Sequence, residues 1–457
     1  MGAGASFFYY NKLVKIEAEQ KMKEPRKVRL HTYGCQMNEY DSEVIAGLFE
    51  RDGWVLTDDE SEAEVILLNT CSVRQHAEDR VWGALFELRE RAMRQPGLVV
   101  GVCGCMAQAK ADEIARRCPH VKVICGTRAF NRLPELVARA AQGRGSVIDT
   151  DMSSEPFLAN LPQKRRSRLK AFVPVMRGCE NYCAYCVVPY VRGHEASRSL
   201  EEVLAEVESL ARDGCREVML LGQNVNSYRA AGVSFADVLR EVAAIKGIDR
   251  IRFMTSHPKD FPDELIRAMA DVPQVCEHLH LPLQSGCDRI LKMMNRGYTF
   301  ESYRGLAQKI RGAVPEIALS TDILVGFPGE TDDDFKQTAR ALKEIGFDSA
   351  FIFKYSDREG TSAYELQPKV GEEIIMRRHA ELLKLQEKIG MEKNRKLIGA
   401  SPEVLVEGYS PRNSERLFGR TRTNKRVVFG GGGDLIGKLV YVIIREATPL
   451  TLIGEEL

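Results

Sequence analysis

Short apolar runs alternate with longer amphipathic stretches through the first third of the chain, after a leader predicted over residues 1–25. The apolar runs predict strands at 28–33, 64–69, 98–103 and 121–125. The stretches between them predict helices at 41–51, 73–93, 108–117 and 131–141. Alternating strands and helices are typical of a doubly wound parallel sheet with helices on both faces. The pattern therefore predicts an α/β domain over residues 26–145.

A second alternating series follows a basic segment, residues 146–168, that is predicted to be a linker. Its strands are predicted at 171–176, 216–221, 250–255, 278–281, 317–325 and 349–354. Its helices are predicted at 200–213, 236–246, 262–270, 332–345 and 366–396. Six strand–helix units predict an open, partial (βα)6 barrel over residues 169–396, with active residues in the loops at the carboxyl ends of its strands.

Residues 397–457 change to short strand patterns joined by glycine-rich turns, which predict a small β-barrel. Between Pro411 and Gly430 this segment carries six cations against one acid. Cations at this density suit RNA phosphates, although a solubilising surface is the alternative. The predicted RNA-binding residues are Arg412, Arg420, Arg422, Lys425 and Arg426. The whole chain is thus predicted to be an α/β multidomain protein.

Composition narrows the class of protein. The chain has 457 residues, a formal net charge of +1 and 28% charged residues, which argues against nucleic-acid binding over the whole surface but allows local patches. No apolar run approaches about 18 residues, so no membrane partner is predicted. Twelve cysteines without a signal peptide predict a reducing compartment, the cytoplasm, and metal or redox chemistry rather than a disulfide framework.

Three of these cysteines lie within ten residues after the first strand of the second series. Cys179, Cys183 and Cys186 have C-x3-C-x2-C spacing within RGCENYCAYC. A 4Fe-4S cluster is normally held by four cysteine thiolates, so three from one loop leave one iron open. A structural zinc site needs four protein ligands, usually in two pairs, and no second pair follows. The spacing therefore favours an iron–sulfur cluster.

Three more cysteines follow strand runs of the first series: Cys35 in YGCQMN, Cys71 in NTCSV and Cys105 in GCMAQ. Two of them are preceded by glycine, which lets the backbone approach a bulky cluster. Cys103 and Cys125 also lie at strand ends, and a core cysteine is the usual interpretation of any single one. Position alone leaves the third ligand of this group open.

Resemblance to known families extends over residues 27–457. The segment RGCENYCAYC, including Tyr185, resembles the signature of the radical S-adenosylmethionine (SAM) enzymes. The set GCQMN, NTCSVR and GCMAQ is similar to the amino-terminal domain of the methylthiotransferases, a branch of that superfamily. Residues 397–457 resemble a TRAM domain, an RNA-binding module.

The resemblance implies two 4Fe-4S clusters, one held by Cys35, Cys71 and Cys105 and one by Cys179, Cys183 and Cys186. It implies that the second cluster binds S-adenosyl-L-methionine at its open iron. The cysteines without a match, expected to be packing residues, are Cys103, Cys118, Cys125, Cys215, Cys276 and Cys287. No catalytic residue is assigned beyond the clusters.

Polar positions after the strands of the partial barrel are predicted to contact SAM or substrate. They are Gly222, Gln223, Asn224, Ser256, Gln284 and Asp322, together with Tyr185 of the cysteine segment. A turn or a helix cap is the alternative for each, as the pair of Thr331 and Asp334 illustrates.

The resemblance also implies a reaction, the methylthiolation of carbon 2 of isopentenyl-adenosine next to the anticodon in tRNA. One SAM methylates a sulfur on the first cluster, and a second SAM yields the radical that removes the hydrogen from carbon 2. Relatives that act on threonylcarbamoyl-adenosine in tRNA or on an aspartate of a ribosomal protein are alternatives, and the basic barrel favours RNA. A non-catalytic iron–sulfur RNA-binding protein is the alternative from a different class, but it leaves two three-cysteine sets unexplained.

The partners follow from this reaction. The resemblance implies the anticodon arm of tRNA, an electron donor such as flavodoxin or ferredoxin, and a sulfur donor or cluster carrier. The protein is expected to be a monomer.

Overall fold

The computed structural model describes residues 25–457, apart from residues 74, 144 and 154–160. The predicted leader, residues 1–25, lies outside the described residues except for its last position. The described chain divides into two compact units, with the boundary between Lys164 and Arg165.

Among its described residues, the first unit contains six strands and four helices. The strands are β1 (Lys27–Tyr33), β2 (Val55–Leu56), β3 (Val65–Thr70), β4 (Val99–Gly104), β5 (Val121–Cys125) and β6 (Val147–Asp149). The helices are α1 (Gln36–Arg51), α2 (Gln75–Arg94), α3 (Cys105–Arg117) and α4 (Leu133–Gln142). The sheet order is β2-β1-β3-β4-β5-β6, and every pairing is parallel.

Helices cover both faces of this sheet. Leu67 of β3 packs in one core with α1 and α4, and its neighbour Leu68 packs in a second core with α2 and α3. All of β3 is therefore buried. This arrangement confirms the doubly wound parallel sheet. The strand order reverses between β1 and β3, which is where such sheets bind their ligands.

The second unit begins with a longer α/β series. Its strands are β7 (Lys170–Pro174), β8 (Met176–Arg177), β9 (Ala196–Ser197), β10 (Glu217–Leu221), β11 (Arg229–Ala230), β12 (Val233–Ser234), β13 (Arg250–Phe253), β14 (His278–His280), β15 (Ala318–Val325) and β16 (Ser349–Lys354). Its helices are α5 (Val188–Arg192), α6 (Leu200–Arg212), α7 (Phe235–Ala243), α8 (Asp263–Asp271), α9 (Asp288–Met293), α10 (Phe300–Ala313), α11 (Asp332–Ile345) and α12 (Glu372–Arg395).

Six of these strands form the predicted partial barrel. They make two parallel three-stranded sheets, β13-β10-β7 and β14-β15-β16. A parallel bridge between Ile251 of β13 and Val275, ahead of β14, links the two sheets. The strands follow one another around the wall in chain order, which confirms the open barrel.

A closed barrel of five strands ends the chain. The strands are β17 (Glu403–Ser410), β18 (Asn413–Thr421), β19 (Arg426–Phe429), β20 (Leu439–Ala447) and β21 (Thr451–Glu456). They close in the order β17-β18-β19-β21-β20 around a small apolar core. Within the described residues, none of the helices combines the length and the apolar character that a membrane span requires.

Several short elements of the structure were not predicted, and neither was the longer helix α10; β2 and β6 are two of the short ones. These two are edge strands of two and three residues, too short to show a period. Residues 147–149, which the sequence placed in the linker, pair with β5 as the sixth strand of the first sheet. In α10 only Tyr303, Ala307 and Ile310 are buried, so its apolar stripe is narrow among many polar residues.

Two arginines of β13 attach the small barrel to the partial barrel. Arg252 is buried, and its guanidinium donates to Glu217 at 3.0 Å and to the main-chain oxygens of Thr421 and Arg422 at 2.8 Å each. Arg250, at the start of the same strand, donates to a further main-chain oxygen of that segment at 2.7 Å. The small barrel therefore lies at the amino-terminal ends of the strands, away from the loops at their carboxyl ends.

Replacing Arg252 with alanine is expected to lower the free energy of unfolding by about 3–5 kcal/mol, because it leaves a buried carboxylate without its cation. Urea unfolding followed by circular dichroism measures this loss. The fluorescence of the two tryptophans, Trp54 and Trp82, reports the first unit alone and is expected to stay unchanged. Arg240→Ala, which removes the exposed pairs with Asp237 at 3.0 Å and Glu264 at 3.2 Å, is the control, with an expected loss below about 1 kcal/mol. Equal losses in the two variants would contradict the anchoring role.

Two cysteine triads as candidate cluster sites

Three cysteines lie at the carboxyl ends of neighbouring strands in the first unit. Cys35 follows β1, Cys71 follows β3, and Cys105 begins α3 directly after β4. The amide of Cys71 donates to the main-chain oxygen of Tyr33 at 2.8 Å, which ties the end of β3 to the end of β1. The parallel sheet thus brings together three side chains that are far apart in the sequence.

The thiols of this first triad are close enough to affect one another's ionisation. A hydrogen bond with Cys35, burial, and the charges of Cys35 and Cys105 hold the pKa of Cys71 well above its usual range. Cys35 and Cys105 each stand at a helix amino terminus, where negative charge is favoured. Three neighbouring thiolates still need compensating positive charge, and a bound metal group supplies it.

Glycines make the space beside these sulfurs. A Cβ atom on Gly34 would lie 2.6 Å from the Cβ of Cys71, and one on Gly104 would lie 2.5 Å from Oδ1 of Asn69. Gly104 also has a φ of +91°, which other residues rarely adopt. The side chain of Asn69 is itself fixed, because it donates to the main-chain oxygen of Asn38 at 2.9 Å. This close-packed cradle fits a bulky group held by three sulfurs.

The second triad lies on the cysteine loop, residues 178–187, which joins β8 to α5. Burial, together with the charges of Cys183 and Cys179, raises the pKa of the Cys186 thiol to about 12. Burial and the charge of Cys183 likewise raise the pKa of Cys179. These three thiols therefore also form one interacting group.

The segment that follows α9 holds the cysteine loop by hydrogen bonds. The side-chain amide of Asn295 donates to the main-chain oxygens of Asn181 and Tyr182, at 3.2 and 3.1 Å. The amide of Ala184 donates to the main-chain oxygen of Met294 at 2.9 Å. The loop is thus fixed by residues more than a hundred positions along the chain.

Within the described part of the chain, no three His, Cys, Asp or Glu side chains converge on a point that suits a single metal ion. The cysteines of a cubane cluster bind different irons, so they need not converge in that way. Two separated sets of three mutually interacting thiols fit 4Fe-4S clusters in this respect.

The six remaining cysteines are all buried, as the sequence predicted for packing residues. Cys103 and Cys125, which position alone had left open as ligands, lie in the core of the first unit with α1 and α4. Burial holds the pKa of each of these two thiols well above its usual range. The others are Cys118, Cys215, Cys276 and Cys287.

Three residues predicted to contact SAM lie in the cysteine loop or against the segment that carries it. Oε1 of Gln223 accepts a hydrogen bond from the amide of Gly178 at 2.6 Å, so this side chain orients the loop. Gly222 is packed closely, because a Cβ there would lie 2.5 Å from Cγ of Met176. Tyr185 is half-buried in an apolar cluster beside the loop.

Three buried polar atoms lie on the loops after β10 and β13 without a hydrogen-bond partner in the described structure. They are Oδ1 of Asn224, Oγ of Ser256 and Nε2 of His257. Burial and the charge of Arg296 lower the pKa of His257 to about 2, so its imidazole is neutral. A buried polar atom without a partner costs about 1–3 kcal/mol. Three of them at the carboxyl ends of the strands fit a polar ligand such as SAM.

Gln284 and Asp322 form a separate pair on the second three-stranded sheet. The amide of Gln284 donates to the main-chain oxygen of Asp322 at 2.8 Å, and Gln284 has a φ of +70°. The Asp322 carboxylate lies 3.3 Å from Nε2 of His280.

Thr331 and Asp334 cap the amino terminus of α11. These two residues therefore have the helix-capping role that the sequence analysis gave as the alternative to ligand contact.

Two of the predicted RNA-binding residues lie between the two barrels of the second unit. Arg422 pairs with Glu277 at 2.8 Å, and Lys425 pairs with Asp348 at 3.0 Å, so these side chains are only 26% and 14% exposed. The prediction implied that both side chains lie on the outer surface of the small barrel, whereas the structure places them between the two barrels. The pattern of alternating residues showed that the cations share a strand face, but not that the face meets another domain.

The other three predicted RNA-binding residues reach solvent to different degrees. Arg412 is exposed in the turn between β17 and β18. Arg420 is half-buried and donates to the main-chain oxygen of Asn424 at 3.3 Å. The guanidinium of Arg426 lies over the ring of Phe418, 4.9 Å from its centre.

Sequence reasoning missed Arg296, which is buried and donates from Nη1 to Sγ of Cys183 at 3.2 Å. It also missed Asn295. Arg296 and Asn295 lie in MNRGYT, where a polar pair directly after an apolar helix was the available signal. His257 follows Ser256 within TSHP, but a single histidine gave no indication that it is buried.

Replacing Asn295 with alanine is expected to loosen the cysteine loop, because two main-chain oxygens lose their donor. Two hydrogen bonds at about 1 kcal/mol each predict roughly thirtyfold faster amide exchange over residues 181–184. Hydrogen exchange by mass spectrometry of the protein without added iron measures this rate. Lys292→Ala, on the exposed face of α9, is the control. The same exchange rate in both variants would show that Asn295 does not hold the loop.

Comparison with known families places three matches along the chain. The model of the "Uncharacterized protein family UPF0004" matches residues 27–126, that of the "Radical SAM superfamily" matches residues 173–342, and that of the "TRAM domain" matches residues 395–457. The first two matches contain the first and the second triad respectively.

A solved structure shares the fold. The radical S-adenosylmethionine methyltransferase TsrM from Kitasatospora setae, with cobalamin and a 4Fe-4S cluster bound, has a TM-score of 0.54 at 17% identity. The match covers 82% of this chain and 79% of that one. At this identity the likeness shows the fold alone.

Curated relatives match the chain nearly end to end. A protein of Thermoanaerobacter sp. (strain X514) is 46% identical over 449 residues, which cover 97% of this chain and 95% of the relative. One of Pelotomaculum thermopropionicum is 47% identical over 435 residues, which cover 94% of this chain and 97% of the relative. Both are named tRNA-2-methylthio-N(6)-dimethylallyladenosine synthase. With this identity over its whole length, the chain belongs to the family of the tRNA-2-methylthio-N(6)-dimethylallyladenosine synthases.

Proposed function

We propose that this protein is the radical SAM methylthiotransferase that acts on carbon 2 of isopentenyl-adenosine next to the anticodon in tRNA. Its family is named for the 2-methylthio product, and the chain carries both the radical SAM and the TRAM segments. The observation that carries the proposal is the pair of cysteine triads, each an interacting group of three thiols, the first at the carboxyl ends of parallel strands and the second on the loop after β8.

Cys35, Cys71 and Cys105 hold one 4Fe-4S cluster in this proposal, and Cys179, Cys183 and Cys186 hold the other. Three observations support this assignment. The thiols affect one another's pKa, glycines leave space beside the first triad, and Asn295 holds the cysteine loop by hydrogen bonds. Three thiolates leave one iron of each cluster without a protein ligand. When bound, the two clusters and SAM supply the transferred sulfur, its methyl group and the radical that removes the hydrogen from carbon 2.

The protein's own side chains bind and orient SAM. Asn224 and Ser256 offer buried polar atoms to its polar groups, and Gln223 sets the cysteine loop beside them. Gly222 keeps the backbone close, and Tyr185 fills the apolar side of the loop. Gln284 and Asp322 complete the lining from the second three-stranded sheet.

The adenine of the substrate must leave the stack of its RNA strand to reach such a site. Single-stranded loops allow this, because their bases can be splayed out and held by side chains. An anticodon loop is therefore a suitable substrate. Arg412 and Arg426 are proposed as direct phosphate contacts. Arg420, Arg422 and Lys425 are proposed to contact phosphate after exchanging their ion pairs within the second unit.

The remaining partners follow from the chemistry. The reaction consumes an electron and a sulfur atom, so the protein needs an electron donor such as flavodoxin or ferredoxin and a sulfur donor or cluster carrier. All twelve cysteines are free thiols in the structure, which supports a reducing compartment, the cytoplasm. We expect the active form to be a monomer, since both triads lie within one chain.

Cys35→Ala is expected to abolish sulfur insertion while SAM cleavage continues, because it disturbs only the first cluster. Cys183→Ala is expected to abolish both, because it removes the site at which SAM is cleaved. The measurement combines 5′-deoxyadenosine release with nucleoside analysis of a tRNA that carries isopentenyl-adenosine, using protein reconstituted with iron and sulfide and supplied with SAM and a reductant.

Cys103→Ala is the matched control, because Cys103 lies two positions before Cys105 but packs in the core. It is expected to keep about eight irons per chain, whereas Cys35→Ala falls to about four. Full sulfur insertion by Cys35→Ala would show that the ligand assignment is wrong. Wild-type protein with two clusters that releases no 5′-deoxyadenosine would contradict the radical reaction itself.

The salt dependence of tRNA binding separates phosphate contacts from structural cations. Arg412→Ala is expected to lower the slope of log affinity against log salt by about 1, because one phosphate contact is lost. Arg422→Ala is expected to leave the slope nearly unchanged, because this guanidinium is engaged with Glu277. Filter binding at several salt concentrations measures both. An unchanged slope for Arg412→Ala would remove this residue from the RNA surface.

A further inference from the structure

Arg296 contacts the cysteine loop and is only 5% exposed. Its Nη1 donates to Sγ of Cys183 at 3.2 Å, its Nη2 donates to the main-chain oxygen of Pro282 at 3.1 Å, and its Nε donates to the hydroxyl of Tyr298 at 2.9 Å. Of these three acceptors, the cysteine sulfur is the one that is negatively charged when it serves as a metal ligand.

Three other buried arginines of the second unit, Arg250, Arg252 and Arg378, each have a carboxylate partner. Arg252 pairs with Glu217 at 3.0 Å, and Arg378 pairs with Glu330 at 2.7 Å. Among the described residues no Asp or Glu pairs with Arg296, whose contacts are those to sulfur, hydroxyl and main-chain oxygen. An uncompensated buried cation costs several kcal/mol. The position of Arg296 therefore calls for an anion at the cysteine loop.

The backbone on both sides fixes the guanidinium in this place. Asn295 and Gly297 have φ values of +57° and +69°, so the chain turns sharply around Arg296. Asn295 is bonded to the cysteine loop, and the hydroxyl of Tyr298 donates to the main-chain oxygen of Leu283 at 2.9 Å. A planar fork held by three acceptors is pre-organised and has little freedom to turn away from Cys183.

We propose that Arg296 is a positioning residue that serves as the buried counter-ion of the SAM-binding cluster and raises its reduction potential. The proposal rests on the proposed ligand role of Cys179, Cys183 and Cys186. Hydrogen bonds to ligand sulfurs and the net charge around a cluster set its potential. A cation at a ligand sulfur stabilises the state that has gained one negative charge, so the electron from the external donor enters more readily. No bond forms or breaks at Arg296 in this one-electron step.

The test uses the full chain in which Cys35, Cys71 and Cys105 are all replaced by alanine, so that only the second cluster forms. Arg296→Gln removes the charge, Arg296→Lys keeps it, and Lys292→Gln removes an equal charge from the exposed face of α9. Each protein is reconstituted, its iron is counted, and the cluster is titrated with dithionite while the reduced signal is followed by electron paramagnetic resonance.

We expect Arg296→Gln to lower the equilibrium constant of one-electron reduction at least tenfold, which is a potential about 59 mV more negative. Arg296→Lys and Lys292→Gln are expected to stay within about threefold of the parent chain, on the same scale. Arg296→Gln with full iron content and the potential of the parent would overturn the proposal.

Loss of the cluster also decides the question. If Arg296→Gln holds no iron and Arg296→Lys holds a cluster at the parent potential, the charge is what the site requires, and the proposal stands. If both variants are folded by circular dichroism but hold no cluster, the shape of arginine rather than its charge is required, and the proposal fails. A parent chain that forms no cluster would instead refute the ligand assignment under the proposed function.

Discussion

Parallel strands all end at the same edge of their sheet, and this constraint assembles the first site. It brings Cys35, Cys71 and Cys105 together from three separate βα connections, although seventy positions separate the first from the last. A helix starts beside two of them, and glycines leave room for a bulky group. The second triad is assembled differently, because all three of its thiols lie on a single loop that follows a strand of the partial barrel.

Charge is the second constraint that the two sites share. Neighbouring thiols resist ionisation when they are close together, as the raised pKa of Cys71 shows, and a metal group relieves that cost. The buried Arg252 has its counter-ion within the protein, because it pairs with Glu217 where the small barrel meets the partial barrel. Arg296 differs from Arg252, because the acceptors around it include a cysteine sulfur but no carboxylate among the described residues.

Sequence reasoning predicted the helices and strands whose apolar residues recur with a clear period. It also singled out the cysteines at 179, 183 and 186 from their close spacing. The helix at 332–345 and the strand at 349–354 agree with the structure at both ends. Contacts between distant segments could not be predicted, because no local pattern records them. Two examples are the ion pair of Arg422 with Glu277 and the hydrogen bond from Arg296 to Cys183. The choice of Cys105 over Cys103 came from family resemblance, and strand alternation supports it by directing Cys103 into the core.

The central claim is that each triad holds a cluster with one iron that lacks a protein ligand. Mössbauer spectroscopy of the reconstituted full chain tests it most directly, with SAM and methanethiolate added in separate samples. The account predicts that each cluster has about one distinct iron in four, that SAM changes the distinct iron of one cluster, and that methanethiolate changes that of the other. Four equivalent irons in either cluster, unchanged by both ligands, would mean that a fourth protein ligand completes it and would contradict the account.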